Sequence, residues 1–117
     1  MKDKFLKFSK IIFFGLIIII TWSIFVEPSL LGINIQSKKK WPIKPLKIAF
    51  FSDLHGGSPH INEAYIKKLV EKINNMNPDI ILIGGDLVIN GVVGGKFMDI
   101  SSLVQLLNDL KAPLGKF

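Results

Sequence analysis

Three side chains that can bind a metal ion follow two apolar runs of the sequence. Asp53 directly follows KIAFFS, His55 comes two residues later, and Asp86 follows DIILIGG. Side chains two residues apart on a strand point to the same side if the extended geometry continues, and neighbouring strands lie about 4.8 Å apart. If the two runs form neighbouring parallel strands, the three side chains converge at the carboxyl edge of the sheet, where open parallel sheets bind ligands. Two carboxylates and one imidazole suit Mn, Fe, Zn or a similar divalent ion.

Each of these residues also has a purely structural explanation when it is considered alone. Asp86 after two glycines can form a turn or cap a helix, whereas His55 can pack within a loop and Asp53 can simply end a strand. Their joint placement after two successive apolar runs favours the metal site. His60 and Asn90 are instead expected to lie on surface loops. Four nearby glycines are expected to keep the backbone small and to permit positive φ angles: Gly56, Gly57, Gly84 and Gly85.

The runs around these residues predict an α/β architecture with the element order β-α-β-α. LKIAFFSD and DIILIGGD are typical of strands buried on both faces. Between them, NEAYIKKLVEKINNMN has a helical apolar stripe, with Asn62 as its N-cap and Pro78 after its end. A second helix is predicted for ISSLVQLLNDL, with four apolar residues on one face: Ile100, Leu103, Leu107 and Leu110. This order predicts parallel strands joined by right-handed crossovers. KAPLGKF is expected to turn into a third strand, because two strands alone cannot shield so apolar a sheet.

The amino-terminal part of the sequence has the composition of a membrane segment. Residues 11–26 (IIFFGLIIIITWSIFV) carry no charge, and residues 1–10 form a basic segment with four lysines and one aspartate. The length lies between a secretory signal core and a spanning helix, but no small-residue cleavage pattern follows. We therefore expect one transmembrane anchor, with a cleaved signal peptide or a buried core helix as the alternatives. The nearer lysines predict a cytoplasmic amino terminus and a domain outside the cytoplasm.

The remaining chain is predicted to form a linker and one incomplete domain. Residues 27–45 are the linker, with a short strand at GINIQ, and residues 46–117 are the domain. All 15 basic residues are lysine and the formal net charge is +6, most of it beside the apolar segment. This distribution predicts contact with membrane lipids and not with nucleic acid. The absence of cysteine excludes disulfides and thiolate metal sites.

The motifs resemble those of the calcineurin-like metallophosphoesterase superfamily. Its D-x-H motif is matched by Asp53-Leu54-His55 in FSDLHGG, and its G-D motif by Gly85-Asp86 in LIGGDLV. The anchor followed by EPSLLGINI is similar to a membrane-anchored bacterial branch. The resemblance implies the amino-terminal β-α-β-α portion of a metallophosphoesterase sandwich fold, preceded by one transmembrane helix. It also implies two divalent metal ions, with Asp53 and His55 on one ion and Asp86 between the two.

The activity implied by the resemblance is metal-dependent hydrolysis of a phosphomonoester or phosphodiester. The anchor favours a lipid-linked phosphate ester as the substrate. The family's later motifs, G-N-H-[DE] and G-H-x-H, do not occur in the sequence, so we expect the amino-terminal part of a membrane-tethered phosphoesterase that is inactive alone. The alternatives are one half of a split enzyme, completed by a carboxy-terminal fragment, and a non-catalytic membrane-anchored binding module with a residual metal site. NGVVGGKF is not a phosphate loop, because Asn90 and Phe97 replace its first glycine and its hydroxyl residue.

Overall fold

The computed structural model describes residues 2–37 and 45–117 and divides the chain into two compact units, residues 1–32 and 33–117. Part of the predicted linker, including the lysines at 38–40, Trp41 and Pro42, lies outside the described residues. The first unit carries the apolar helix, and the second carries the sheet with its helices.

The first unit is a helix whose hydrogen bonding changes near its end. Its three parts are α1 (Lys2–Thr21), a π-helical segment (Trp22–Val26) and a 3₁₀ turn (Glu27–Ser29). The amide of Glu27 donates to the carbonyl of Trp22, five residues back. Pro28 has no amide hydrogen and its ring crowds the preceding turn, so the regular α-helical pattern cannot continue through it.

The helical segment is long and apolar enough to cross a membrane. The most apolar stretch of Leu6–Ser29 has a mean hydropathy of 2.2, and none of this stretch is buried within the protein. A signal sequence near an amino terminus can have the same length and hydropathy. The helix begins well before the predicted segment 11–26, because the basic residues in front of it continue the same helix without a glycine or proline to interrupt it.

The second unit contains a small parallel sheet. Strands β1 (Ile48–Phe51) and β2 (Ile80–Ile83) pair in parallel along their full length. On the other side of β2, the amide of Ile81 donates to the carbonyl of Gly115 (3.1 Å), and the amide of Phe117 donates to the carbonyl of Ile81 (3.0 Å). The predicted parallel arrangement is therefore confirmed. The short strand predicted at GINIQ is not formed, because residues 30–37 pair with no strand in the part of the chain that the structure describes.

Two helices follow the two strands, and each begins at a side-chain cap. Helix α2 (Glu63–Asn75) begins after Asn62, whose side-chain oxygen accepts a hydrogen bond from an amide of the first turn (3.1 Å). Helix α3 (Ile100–Asn108) begins after Asp99, whose carboxylate accepts from the amide of Ser101 (3.1 Å). Capping of this kind satisfies amides that have no partner within the helix, and it confirms Asn62 as an N-cap.

The core lies between these helices and one face of the sheet. Its buried apolar residues are Leu54, Ile66, Leu69, Val70, Ile73, Ile81, Met98, Leu103, Leu107 and Leu110. Ile100, although predicted on the same face of α3 as three of these, remains about half exposed. Helices α2 and α3 also contact each other at the carboxyl end of α3, where the side-chain amide of Asn74 donates to the carbonyl of Asp109 (2.9 Å).

The opposite face of the sheet is exposed in the part of the chain that the structure describes. Phe50 is 67% exposed, and Ile48 and Leu82 are also exposed. Since the strands follow one another in one direction across the sheet, right-handed crossovers place α2 and α3 on the same face. The prediction that the strands are buried on both faces is therefore wrong for the described residues.

Candidate metal centre

Asp53, His55 and Asp86 form a cluster, here called the metal cluster, at the carboxyl ends of β1 and β2. One potential ligand atom from each residue lies within 4.8 Å of the others, and Nε2 of His55 lies 2.8 Å from Oδ2 of Asp86. The side chains of His55 and Asp86 are 37% and 54% exposed, respectively, so a ligand from solvent can reach them. The structure thus brings together all three side chains that the sequence suggested.

The three residues are placed by left-handed backbone and not by a continued strand. β1 ends at Phe51, and the φ angles of Asp53, His55 and Asp86 are 52°, 50° and 58°. This conformation is uncommon for residues with a side chain, although Asp and His adopt it more readily than most, and strained backbone of this kind clusters at functional sites. The two-residue spacing of Asp53 and His55 would place their side chains on one side only if the strand continued to these positions. The strand does not continue, and the side chains converge through two tight turns instead.

Backbone hydrogen bonds join the two turns to each other. The amide of Asp53 donates to the carbonyl of Gly85 (3.0 Å), and the amide of His55 donates to the carbonyl of Asp86 (3.1 Å). These bonds continue the pairing of the two chain segments beyond the ends of β1 and β2. They therefore set the distance between the turn that carries Asp53 and His55 and the turn that carries Asp86.

Close backbone approach explains two of the glycines near the cluster. A Cβ atom at Gly84 would lie 2.4 Å from the Cβ atom of Ser52. Gly57 has a φ of 98°, and a Cβ atom there would lie 2.8 Å from the carbonyl oxygen of Lys96. A Cβ atom at Gly85, by contrast, would meet open space. Of the four glycines expected to permit positive φ angles, only Gly57 has one.

Polar contacts orient the side chains of the metal cluster. The hydroxyl of Ser52 donates a hydrogen bond to the carboxylate of Asp53, and a hydrogen bond to a charged acceptor is stronger than one between neutral groups. Nε2 of His55 and the carboxylate of Asp86 form an ion pair when the imidazole is protonated. Ser52 has no distinguishing signal in the sequence except its position immediately before Asp53.

The donor set of the cluster fits a divalent metal ion. Bonds to such an ion are about 2.0–2.2 Å long for imidazole nitrogen and carboxylate oxygen, so ligand atoms on opposite sides of one ion lie roughly 4.4 Å apart. The ligand atoms here already lie within 4.8 Å of one another, and rotation of the exposed carboxylates can close the difference. Mixed oxygen and nitrogen ligands suit Mn, Fe or Zn.

Two other polar residues near the motifs stay outside the metal cluster. His60 lies in the turn before α2. Asn90 is exposed on the loop after β2, and its side-chain oxygen accepts a hydrogen bond from the amide of Gly91 (2.8 Å). Among the described histidines and acids, the group of potential ligands does not include His60.

Comparison with known proteins places the second unit in a family. The sequence model of the family described as calcineurin-like phosphoesterase matches residues 46–114. An uncharacterized metallophosphoesterase of Campylobacter jejuni is 32% identical over 74 residues, which cover 63% of this chain and 18% of that protein. An uncharacterized metallophosphoesterase of Helicobacter pylori strain J99 is 35% identical over 74 residues, which also cover 63% of this chain and 18% of that protein. The UDP-2,3-diacylglucosamine pyrophosphatase LpxG of Chlamydia trachomatis is 34% identical over 102 residues, which cover 82% of this chain and 29% of that protein.

These matches cover the part of the chain that carries the cluster. The matched residues 46–114 contain β1, α2, β2 and α3 together with all three clustered side chains. The chain spans less than a third of the length of these curated relatives, and no solved structure matches it significantly. Because the family model matches more than half of the chain, the chain belongs to the calcineurin-like phosphoesterase family.

Proposed function

We propose that the chain supplies the first metal-binding motifs of a membrane-tethered, metal-dependent phosphoesterase. The observation that carries this proposal is the convergence of Asp53, His55 and Asp86 within 4.8 Å at the carboxyl edge of the sheet. Family membership supports the reaction class, which is hydrolysis of a phosphomonoester or phosphodiester. The domain that carries this activity is assigned to residues 46–117.

Each clustered side chain has a role in this proposal. Asp53 and His55 hold one divalent ion, and Asp86 lies between this ion and a second one. Divalent ions held by these residues would supply Lewis-acid chemistry, polarising the phosphate and lowering the pKa of a bound water molecule. The hydroxyl of Ser52 keeps the carboxylate of Asp53 oriented, and the exposed side of the cluster admits the phosphate ester.

The chain is proposed to be inactive alone. A pair of metal ions requires more protein ligands than the three potential ones that cluster in the described residues. We propose that the acid that protonates the leaving group also comes from outside the cluster. We propose that a carboxy-terminal fragment with the G-N-H-[DE] and G-H-x-H motifs completes the site.

The proposed substrate is a lipid-linked phosphate ester. The relatives from Chlamydia trachomatis and Chlamydia muridarum are named as UDP-2,3-diacylglucosamine pyrophosphatases, and that name describes a pyrophosphate linked to a sugar with acyl chains. The apolar segment Leu6–Ser29 supports a location at a membrane. We propose that it is a single-pass anchor in the cell membrane, with a cytoplasmic amino terminus and the domain outside.

A complementation assay tests this function. The full chain in detergent micelles with Mn²⁺ is mixed with a fragment of a longer relative that carries the two later motifs, and hydrolysis of a chromogenic phosphodiester is followed. We expect hydrolysis only in the mixture, with loss of activity for Asp53→Ala and full activity for Asp109→Ala, an acid distant from the cluster in the sequence. Hydrolysis by the chain alone would refute its inactivity, and no hydrolysis by the mixture would refute the role of the fragment.

A further inference from the structure

A glycine-rich loop leaves and rejoins the fold beside the metal cluster. This loop, residues 90–97 (NGVVGGKF), is here called the valine loop. Just before it, the amide of Ile89 donates to the carbonyl of Gly56 (3.1 Å), and near its end the amide of Lys96 donates to the carbonyl of Gly57 (2.8 Å). Because Gly56 and Gly57 directly follow the cluster's histidine, both ends of the loop are held at the metal cluster.

Turn geometry gives the valine loop a defined tip. The amide of Gly95 donates to the carbonyl of Val92 (3.0 Å), which closes a turn. Gly91 and Gly94 have φ angles of 72° and 79°, which glycine adopts without the cost that a side chain imposes. This turn places Val93 at the tip of the loop.

The valine loop exposes apolar side chains that no described part of the chain covers. Val93 is 95% exposed and Phe97 is 64% exposed, and Val92 is exposed as well. The one charged residue of the loop is Lys96, which is also exposed. Neighbouring exposed apolar side chains mark an interaction surface. A cation among them matches the boundary of a membrane with anionic headgroups, where apolar side chains enter the acyl region and lysine stays with the headgroups.

We propose that the valine loop inserts into the surface of the bilayer in which the chain is anchored. The inference rests on the proposed membrane anchor. Residues 30–47 join the helical segment to β1, and a chain of this length spans at most roughly 60 Å, which limits how far an anchored domain can move from the bilayer. Three side chains are a small surface compared with a protein interface, which usually buries about 1,200–2,000 Å².

Insertion of the loop would bring the metal cluster to the membrane surface. Both ends of the loop bond to the residues that follow His55, so a loop in the headgroup layer holds the cluster near the phosphates of that layer. A lipid-linked phosphate ester could then reach the cluster while its acyl chains stay in the bilayer. An inserted loop would therefore favour a lipid-linked substrate over a water-soluble phosphate ester.

Site-specific labelling tests the inference on the full chain. The sequence contains no cysteine, so Val93→Cys gives a single attachment point for an environment-sensitive fluorophore. The labelled chain is reconstituted into phosphatidylcholine vesicles that contain phosphatidylglycerol, with nitroxide groups on the lipid tails as quenchers. Val104→Cys is the matched control, because Val104 is an exposed valine on α3, and Phe14→Cys reports on the anchor helix.

The three labels separate the possible outcomes. We expect blue-shifted, quenched emission from positions 93 and 14 and unquenched emission from position 104. Quenching at position 14 without quenching at position 93 would overturn the inference and leave the anchor intact. No quenching at either position would overturn the anchor as well. A blue shift at position 93 without quenching by the lipids would mean that protein covers the loop, which also overturns the inference. Metal binding, measured separately, is expected to be equal for the labelled variants.

Discussion

Replacing Gly84 with alanine is expected to open the metal cluster by forcing its two turns apart. The new Cβ atom would lie 2.4 Å from Cβ of Ser52, whereas non-bonded carbon atoms prefer about 3.5–4.0 Å. The turns must therefore separate by roughly 1 Å. Rotation about χ1 of Ser52 does not move its Cβ atom, and the ring of Phe50 also lies 3.4 Å from the new atom. Overpacking of this kind costs about 1–3 kcal/mol.

Hydrogen exchange and metal titration of the full chain in detergent micelles measure this effect. Separation of the turns weakens the bond from the Asp53 amide to the Gly85 carbonyl. The cost of overpacking corresponds to roughly 5-fold to 150-fold faster exchange of the amides at the turns. Metal affinity is expected to fall about 10–100-fold, as it does when the groups that support metal ligands are disturbed.

The neighbouring glycine provides a matched control for this prediction. A Cβ atom at Gly85 would meet no atom within 4 Å, and its φ is not positive. Gly85→Ala is therefore expected to leave exchange and metal affinity close to those of the wild type. Equal behaviour of Gly84→Ala and Gly85→Ala would refute the claim that close approach at Gly84 holds the cluster together.

Four further substitutions test how the helices are stabilised. Leu103→Ala is expected to cost about 2–5 kcal/mol because Leu103 is fully buried, whereas Val104→Ala, an exposed position of α3, should cost less than about 0.5 kcal/mol; hydrogen exchange of the α3 amides distinguishes them. Asn62→Ala is expected to cost about 1 kcal/mol through loss of the α2 cap, with faster exchange in its first turn. The hydroxyl of Ser101 holds the pKa of the Asp99 carboxyl below its usual range. The ionised Asp99 carboxylate therefore stabilises α3 fully above the pKa that Asp99 has in the unfolded chain, and this stabilisation is lost as the pH falls through the lowered pKa of the folded state. In an NMR pH titration of α3, Asp99→Asn should remove this pH dependence.

The sequence was sufficient to predict the order and type of the elements from β1 to α3. Apolar runs that end in turn residues gave the two parallel strands, and a helical stripe with a cap at Asn62 gave α2. The family motifs also identified the three residues that cluster. These features are encoded locally, by side-chain periodicity and by residues that begin and end elements, so they could be predicted from one sequence.

The details that the sequence did not reveal depend on contacts between distant segments. The left-handed backbone of Asp53, His55 and Asp86 arises where two turns form hydrogen bonds with each other. The spacing of residues in the sequence does not predict those hydrogen bonds. The exposed face that includes Phe50 follows from the order of strands across the sheet. Likewise, the attachment of the valine loop beside the cluster depends on hydrogen bonds to Gly56 and Gly57, residues far from it in the sequence.

Metal titration of the full chain tests the central claim most directly. Isothermal titration calorimetry with Mn²⁺ in detergent micelles would compare the wild type with Asp53→Ala and with Asp109→Ala, which removes an acid outside the cluster. If Asp53, His55 and Asp86 hold a divalent ion, the wild type and Asp109→Ala bind Mn²⁺ saturably, and Asp53→Ala loses this binding. Absence of binding to the wild type, or equal binding by Asp53→Ala, would contradict the assignment of the metal centre.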